Sequence, residues 1–257
     1  MQKAPPMTWL TRHTTPLAAA IVLACAAHVA HADQLADPAA VRQYIADMER
    51  AYGQVQDYTT TFHKQERVDG ELLPREEIEL KFRKPFSLYL KWTGEVNQTR
   101  EVIFSKGWNG DKLRAHKGSF PDMTVNLRPE SNLAMQGNRH KITEAHFGHA
   151  IGVIARDARL AESRPQDNVR YIDLGERTVY GAKSRCFEAR AQSSGPVSVY
   201  YAARAKVCFD VRSKMPTRIT VWSADGDMLE DYGFENTKLN VGLTDLDFDP
   251  ENADYNF

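Results

Sequence analysis

The stretch VCFDVRSKMPTRITVWSADGDMLEDYGFENTKLNVGLTDLDFDPENADYNF, residues 207–257, decides the fold of this chain. In its first part Val207 and Phe209 alternate with polar or small residues, and Ile219 and Val221 do the same further on. Such period-two alternation is typical of antiparallel strands with one buried and one hydrated face. A short meander is unstable by itself, so these strands are predicted to extend a larger sheet.

The same alternation predicts a hairpin upstream, with its break at Lys84-Pro85. Both arms place large apolar groups on one face and polar groups on the other. The apolar members are Ile78, Leu80, Phe82, Phe86, Leu88, Leu90 and Trp92. Further strands are predicted over residues 58–68, 100–105, 112–116, 169–174 and 184–191.

Helices are predicted on either side of these strands. Asp37-Pro38 supplies an N-cap and a proline at the first helical position, and a three-four apolar spacing continues to Gly53. A second long helix is predicted from a cap at Thr143, and a short one within residues 129–136. Helix, strands, helices and strands in this order indicate an α+β fold with the helices on one face of the sheet.

Residues 1–32 are predicted to be a secretory signal peptide cleaved after Ala32, which leaves residues 33–257 as a single domain. A cationic start, a short apolar run and an Ala30-x-Ala32 end support this prediction. The apolar run is too short to span a bilayer, so we expect no transmembrane helix after processing. As an alternative, the sequence before Cys25 loosely resembles a lipoprotein cleavage box, which would leave Cys25 as a lipid anchor. Either way, we expect an exported, periplasmic protein.

The charge of the processed chain excludes some partners. Processing would remove Lys3 and Arg12 from the 33 basic residues and none of the 34 acidic ones, leaving a net charge of about −3. This balance lacks the basic footprint of nucleic-acid binding. It also argues against simple electrostatic adhesion to anionic lipid headgroups.

Two cysteines, Cys186 and Cys208, would remain after processing, in a compartment that permits disulfides. Phe187 and Phe209 are predicted on the apolar faces of their strands, so both thiols are predicted on the opposite faces, as a cross-strand disulfide requires. The alternative is a pair of free thiols on separate strands, because the sequence does not define the connection between them. We favour the disulfide.

No catalytic site is predicted. The sequence has no Gly-x-Ser-x-Gly elbow and no phosphate-cradling glycine loop, and neither retained cysteine has a histidine near it in sequence. The alternating acids at the C-terminus, Asp245, Asp247 and Asp249, lack the glycine and the terminal glutamate of an EF-hand loop, and we interpret them as surface residues. We therefore predict a non-enzymatic protein without a cofactor.

His146 and His149 are spaced three apart on the second predicted helix, with His140 and Glu144 close in sequence. Two histidines at this spacing could share a metal. No third ligand accompanies them at a recognisable spacing, and a metal site needs a complete ligand set. We interpret them as solvated histidines at a helix edge and predict no metal site.

Several segments, in this order, resemble the bacterial LolA/LolB-like lipoprotein-carrier superfamily, and most closely an exported branch described as a domain of unknown function. These segments are LKFRKPFSLYLKW (80–92), EVIFSKGWNGDKL (101–113), VYGAKSRCFEA (179–189) and the C-terminal part from Phe209 through Met215-Pro216 and Tyr232. The resemblance implies a curved antiparallel half-barrel sheet whose concave face is covered by helices. In carriers of this superfamily, that apolar hollow holds the acyl chains of lipid-anchored proteins.

Two functional hypotheses follow from the apolar face and the resemblance. In the first, the protein binds or carries a lipid or acyl chain in the concave face, either as a free lipid or as part of a lipid-anchored protein. The predicted lining is Ile78, Leu80, Phe82, Phe86, Leu88, Leu90, Trp92, Phe104, Ile219 and Val221. In the second, it is a cell-envelope scaffold with a filled core that binds a partner protein through a sheet edge or its tail. A cavity of about 300–1,000 Å³ favours the first hypothesis, and a filled interior the second.

Overall fold

The computed structural model describes residues 1–3, 34–191 and 199–257 of the 257-residue chain. The chain divides into two units, Met1–Ala30 and His31–Phe257. Of the first unit the structure describes residues 1–3, so the predicted cleavage region and Cys25 lie outside the described residues. The described helices and strands belong to the second unit.

An antiparallel sheet of 13 strands dominates the second unit. Its strands are β1 (Gln34–Leu35), β2 (Asp57–Val68), β3 (Glu71–Leu72), β4 (Glu76–Arg83), β5 (Ser87–Trp92), β6 (Glu101–Ser105), β7 (Leu113–His116), β8 (Thr124–Leu127), β9 (Arg170–Val179), β10 (Ala182–Arg190), β11 (Arg204–Asp210), β12 (Pro216–Trp222) and β13 (Met228–Leu239). The helices are α1 (Pro38–Gly53), α2 (Asn132–Met135) and α3 (Phe147–Ser163). Short 3-10 turns cover Ile142–Glu144, Pro165–Asp167 and Asp245–Phe248.

The strand order is β1-β9-β10-β11-β12-β13-β2-β4-β5-β6-β7-β8, and β3 pairs with β2. The last strand of the chain, β13, lies in the middle and pairs with β12 on one side and β2 on the other. Strands β1 and β8 stand at opposite ends of the order and do not pair with each other, so the sheet is open across residues 34–191 and 199–257. The predicted α+β half-barrel is confirmed.

Helices α1 and α3 pack against each other and cover one side of the sheet, which we call the cavity face. Helix α1 begins as predicted, with the Asp37 side chain accepting a hydrogen bond from the Ala39 N–H at 2.9 Å. Its buried stripe is Val41, Ile45 and Met48, which joins the main hydrophobic core. This stripe follows from three-four spacing on a helix that rests on a sheet.

Helix α3 begins later than predicted. Its N-cap is His146 rather than Thr143, because residues 142–144 form a separate 3-10 turn. The Nδ1 atom of His146 accepts a hydrogen bond from the Gly148 N–H at 3.1 Å. The next residue, Phe147, is fully buried, and its N–H donates to the Tyr58 hydroxyl at 3.0 Å. The start of α3 is thereby anchored to strand β2 of the sheet.

The opposite side of the sheet is partly covered by the C-terminal tail. Phe248 packs with Tyr89 and Ile103, and the ring of Tyr255 stacks on Tyr89 with centroids 4.1 Å apart. Among the alternating acids, Asp247 accepts a hydrogen bond from the Thr244 N–H at 2.8 Å. Asp247 thus belongs to a capped turn in the segment that docks on the sheet.

Cys186 and Cys208 face each other across the β10–β11 pair and are joined by a disulfide. Their Cα atoms are 4.0 Å apart, and both side chains are buried. The neighbouring Phe187 and Phe209 point to the cavity face, as the alternation in the sequence predicts. The disulfide therefore lies on the side of the sheet away from α1 and α3.

Candidate ligand-binding site

A cavity of about 780 Å³ lies between the cavity face of the sheet and helices α1 and α3. Its walls come from both halves of the sheet, with Leu90 and Val102 on one half and Phe187 and Val207 on the other. Representative apolar lining residues are Ile45, Phe187, Val207, Phe209, Ile154 and Phe234. The interior of the protein is therefore a hollow with apolar walls, and not a completely filled core.

The structure divides the predicted lining residues into two sets. Ile78, Leu90, Trp92, Ile219 and Val221 line the cavity. The others, Leu80, Phe82, Phe86, Leu88 and Phe104, lie outside its lining. The alternation places all of them on one side of the sheet but does not show where along it the helices come into contact.

The second set is excluded from the cavity by packing at the start of α3. The imidazole of His146 stacks on Phe82 with ring centroids 4.9 Å apart, and it meets the edge of Phe86 at 5.1 Å. Leu88 and Phe104 pair directly across β5 and β6 and are both buried. Helix α3 thus closes onto the sheet here, and this end of the cavity face is solid core.

This arrangement corrects the prediction that His146 is solvated. Its ring is enclosed by two aromatic side chains, and burial lowers the pKa of His146 to about 4. At neutral pH the ring is uncharged, and its Nδ1 is committed to the cap of α3. His146 is a structural residue.

The cavity is also lined by residues that the sequence prediction did not include, from both helices and strands. Helix α3 contributes Ala150, Val153 and Ile154, and strands β10 and β11 contribute Phe187 and Val207. The strand residues carry the same period-two signal as the predicted ones. The helical residues could not be assigned from sequence, because the part of α3 that faces the hollow depends on where its N-terminus docks.

A belt of polar side chains interrupts the apolar walls where β2, β4 and β13 cross the cavity face; we call it the polar belt. It contains Lys64, Glu66, Glu76, Glu230 and Tyr232, all of which line the cavity. The Lys64 Nζ donates to Glu76 at 2.8 Å, and the Tyr232 hydroxyl donates to Glu66 at 2.5 Å. The side chains of Glu66 and Glu230 are each 2% exposed, so their charges require these partners.

The segment before α3 provides the remaining partners of the polar belt. The Arg139 N–H donates to Glu66 at 2.9 Å, and the Arg139 guanidinium donates to Glu230, also at 2.9 Å. Tyr201 donates to the same Glu230 oxygen at 2.6 Å. Burial by itself would raise the pKa of Glu230, but hydrogen bonds from His140 and Tyr201 outweigh it and lower the pKa. Glu230 is therefore ionised at neutral pH.

Next to the polar belt, three side chains of the cavity lining lie close together: His140, Glu144 and His149. One potential ligand atom from each lies within 4.8 Å of those of the other two. The Nδ1 of His140 is 3.0 Å from Glu144 Oε2, and its Nε2 is 3.0 Å from Glu230 Oε1. This grouping differs from the His146–His149 pair that the sequence spacing suggested.

The cavity reaches the surface beside two exposed apolar residues. Met123 and Leu133 both line it, although they are 49% and 60% exposed. An exposed apolar rim of this kind marks an entrance for an apolar ligand or a contact for another apolar surface. Within the described ranges no helix has the length and apolar character needed to cross a membrane.

The fold and cavity define an α+β protein with a ligand-sized hollow under an open antiparallel sheet. The chain belongs to the family described as "Protein of unknown function (DUF1571)", which it matches over residues 55–257. No curated protein matches its sequence.

Solved structures that resemble the fold include a LolA superfamily protein from Nitrosomonas europaea, in agreement with the predicted resemblance. It shares 8% identity, with 81% of this chain and 96% of that chain covered and a TM-score of 0.34. Lipoprotein LppX of Mycobacterium tuberculosis shares 15% identity, with 81% and 99% covered and a TM-score of 0.47. The MucA/MucB complex of Pseudomonas aeruginosa shares 11%, with a TM-score of 0.46, 82% of this chain covered and 60% of that one. At these sequence identities and TM-scores, the structural similarities assign no function to this chain.

Proposed function

We propose that this protein is a non-enzymatic binder or carrier of a lipid or acyl chain, held in the cavity under the sheet. The observation that carries this proposal is the hollow of about 780 Å³ with mainly apolar walls. Its size falls within the range of about 300–1,000 Å³ that is common for sites of small molecules. The scaffold alternative requires a filled interior, which the cavity does not match.

The chemistry of the walls fits an amphipathic ligand. Burial of hydrocarbon against side chains such as Ile154 and Val207 is favourable by about 0.8 kcal/mol for each methylene group. The polar belt lies within the same hollow and offers hydrogen bonds to a polar headgroup. An acyl chain with a polar end would satisfy both parts of the cavity at once.

The proposal includes export. With residues 1–32 removed as a signal peptide, the protein would meet its ligand in the periplasm. Acyl chains of membrane lipids and of lipid-anchored proteins are the ligands available to such a protein in that compartment. Cleavage after Ala32 and lipid anchoring at Cys25 are distinguished by the N-terminal mass of the protein recovered from the periplasmic and membrane fractions.

The first test is native mass spectrometry of the protein purified gently from the compartment to which it is exported. We expect a mass increment that lipid extraction removes and that fluorescent fatty acids restore. A protein that is empty on isolation and also fails to take up fatty acid would count against lipid binding and favour the scaffold alternative.

A matched pair of substitutions on β5 tests where the ligand lies. Leu90 lines the cavity, whereas Leu88, two residues earlier on the same side of the strand, does not. In Leu90→Glu the carboxylate can remain hydrated in the hollow, so we expect a folded protein that no longer takes up fatty acid. In Leu88→Glu the charge is buried in solid core, and we expect a loss of several kcal/mol in unfolding free energy.

Uptake is measured by fluorescence titration, and folding by circular dichroism and thermal melting. Normal fatty-acid uptake by a folded Leu90→Glu protein would show that the ligand is held elsewhere. Equal loss of stability in both variants would show that β5 faces no hollow.

A further inference from the structure

The arrangement of His140, Glu144 and His149 is that of an incomplete tetrahedral metal site. Zinc lies about 2.0–2.2 Å from its histidine and carboxylate ligands, which places tetrahedral donor atoms roughly 3.4 Å apart. The His140 Nδ1 and Glu144 Oε2 are 3.0 Å apart, and all three potential ligand atoms lie within 4.8 Å of one another. Small side-chain rotations would therefore bring all three onto one ion.

The ring of His140 is oriented by groups on its other side. Its Nε2 lies 2.7 Å from the Tyr201 hydroxyl and 3.0 Å from Glu230, a buried carboxylate that the Arg139 guanidinium and the Tyr201 hydroxyl also contact. Its Nδ1 faces Glu144, and a metal ion bound there would replace the proton of the His140–Glu144 hydrogen bond. A histidine that donates its second nitrogen to a carboxylate is the usual partner arrangement of a metal ligand.

His149 is available for binding. It stands in the first turn of α3, is half-buried and lines the cavity. Across residues 34–191 and 199–257, its side chain makes no hydrogen bond to the protein. Its neighbour His146 is occupied by the cap of α3 and the ring of Phe82. His140 from the preceding loop thus takes the place of His146 as the second histidine beside His149.

We propose that His140, Glu144 and His149 bind a divalent transition metal, with Zn²⁺ as the best match. Two imidazoles and one carboxylate with a free fourth position form a known open zinc ligand set. All three residues line the cavity, so the fourth position faces the hollow, where water or an anionic oxygen would complete the coordination. This site does not depend on acyl-chain binding.

The test is a titration of the EDTA-stripped full chain with Zn²⁺ by calorimetry, and with Co²⁺ by visible absorption. We expect one binding event that is lost in His149→Ala and Glu144→Gln. Binding at other histidines, which include His28 and His31, would appear as a separate event that these substitutions do not change. The matched control is His63→Ala, since His63 also contacts a carboxylate, Glu235, at 2.9 Å but stands outside the cluster. It should bind as the wild type does.

A second variant separates the orienting role of Glu230 from direct binding. Glu230→Gln keeps the three ligands, so we expect Zn²⁺ binding with the same stoichiometry and an affinity about 10–100-fold lower. Circular dichroism checks that each variant is folded. Unchanged affinity in both Glu230→Gln and His149→Ala would overturn the proposal.

The wild-type protein provides an independent measurement if a variant fails to fold. Imidazole ¹⁵N–¹H spectra of the wild type, recorded with and without Zn²⁺, should show shifts at His140 and His149 and none at His146 or His63. Shifts at His146, or the absence of any shift at His140 and His149, would show that the cluster does not bind metal.

Discussion

Gly148, the second residue of α3, is required by space rather than by backbone conformation. A Cβ atom there would lie 2.7 Å from the Tyr52 hydroxyl and 2.8 Å from Cε1 of His146. Contacts this short would displace the Tyr52 hydroxyl and the His146 ring that caps α3. The single hydrogen atom of glycine therefore allows the helix to dock tightly at the solid end of the cavity face.

We predict that Gly148→Ala lowers the free energy of unfolding by about 1–3 kcal/mol, as overpacking does. Gly152, one turn later, is the matched control, because a Cβ there meets no atom within 4 Å. Gly152→Ala should raise stability by up to about 1 kcal/mol through helix propensity. Urea unfolding measures both, and equal effects of the two substitutions would contradict this account of Gly148.

At the scale of elements, the disulfide holds β10 to β11 in register. The two cysteines are 22 residues apart in sequence, and they join strands on the half of the sheet opposite β4 and β5. A cross-link over a loop of this length usually contributes about 2–4 kcal/mol. The disulfide also limits how far β10 and β11, which line the cavity, can separate from each other.

We predict that the double substitution Cys186→Ala and Cys208→Ala lowers the free energy of unfolding by about 2–4 kcal/mol. The wild type should lose a similar amount when a reductant is added, whereas the double variant should be insensitive to the reductant. The measurement is the urea midpoint with and without reductant. A wild-type midpoint that does not respond to verified reduction would refute the stabilising role.

At the scale of the whole molecule, Asp231 joins distant parts of the sheet. Its carboxylate, 1% exposed, accepts hydrogen bonds from Arg218 at 2.8 Å and Thr220 at 2.9 Å, and it also contacts Arg75 before β4. Burial alone would raise the pKa of Asp231, but the hydrogen bonds from Arg218 and Thr220 outweigh it and lower the pKa. The ionised form is therefore preferred in the folded state.

The sign of the pH dependence follows from this lowered pKa. The contribution of Asp231 is complete above the pKa of an unfolded aspartate, about 3.9, and is lost as the pH falls through the lower folded-state value. We predict that Asp231→Asn lowers the free energy of unfolding by about 1–3 kcal/mol at pH 7. The difference in unfolding free energy between the variant and the wild type should shrink below about pH 4. Urea unfolding across pH 2–7 measures this.

Asp227→Asn is the control for this prediction, because Asp227 is 60% exposed and lies 3.5 Å from Arg67. An exposed pair of this kind contributes about 0–1 kcal/mol, so little change is expected at any pH. A difference in unfolding free energy between Asp231→Asn and the wild type that stays constant down to pH 2 would contradict a stabilising role for the ionised Asp231 carboxylate.

The sequence alone predicted those helices and strands whose local residue pattern is compatible with only one kind of secondary structure. Alternation over β4, β5, β11 and β12 identified the strands and the side that faces inward, and the Asp37-Pro38 cap located α1. Strands β1 and β3 were not predicted, since two residues carry too little periodicity, and β8 was also missed. The later start of α3 was missed because histidine is not among the usual N-cap residues, and the ring of His146 is held in place by Phe82 and Phe86.

The sequence by itself determined that this chain forms an antiparallel sheet with one apolar face, because side-chain alternation is a property of each strand alone. Only the tertiary structure decided that this face encloses a hollow at Leu90 and solid core at Leu88, since the difference depends on where α3 meets the sheet. The convergence of His140 and His149 was likewise decided by folding. His140 is held by Glu230, which lies ninety residues away in sequence, and spacing along the chain does not reveal that contact.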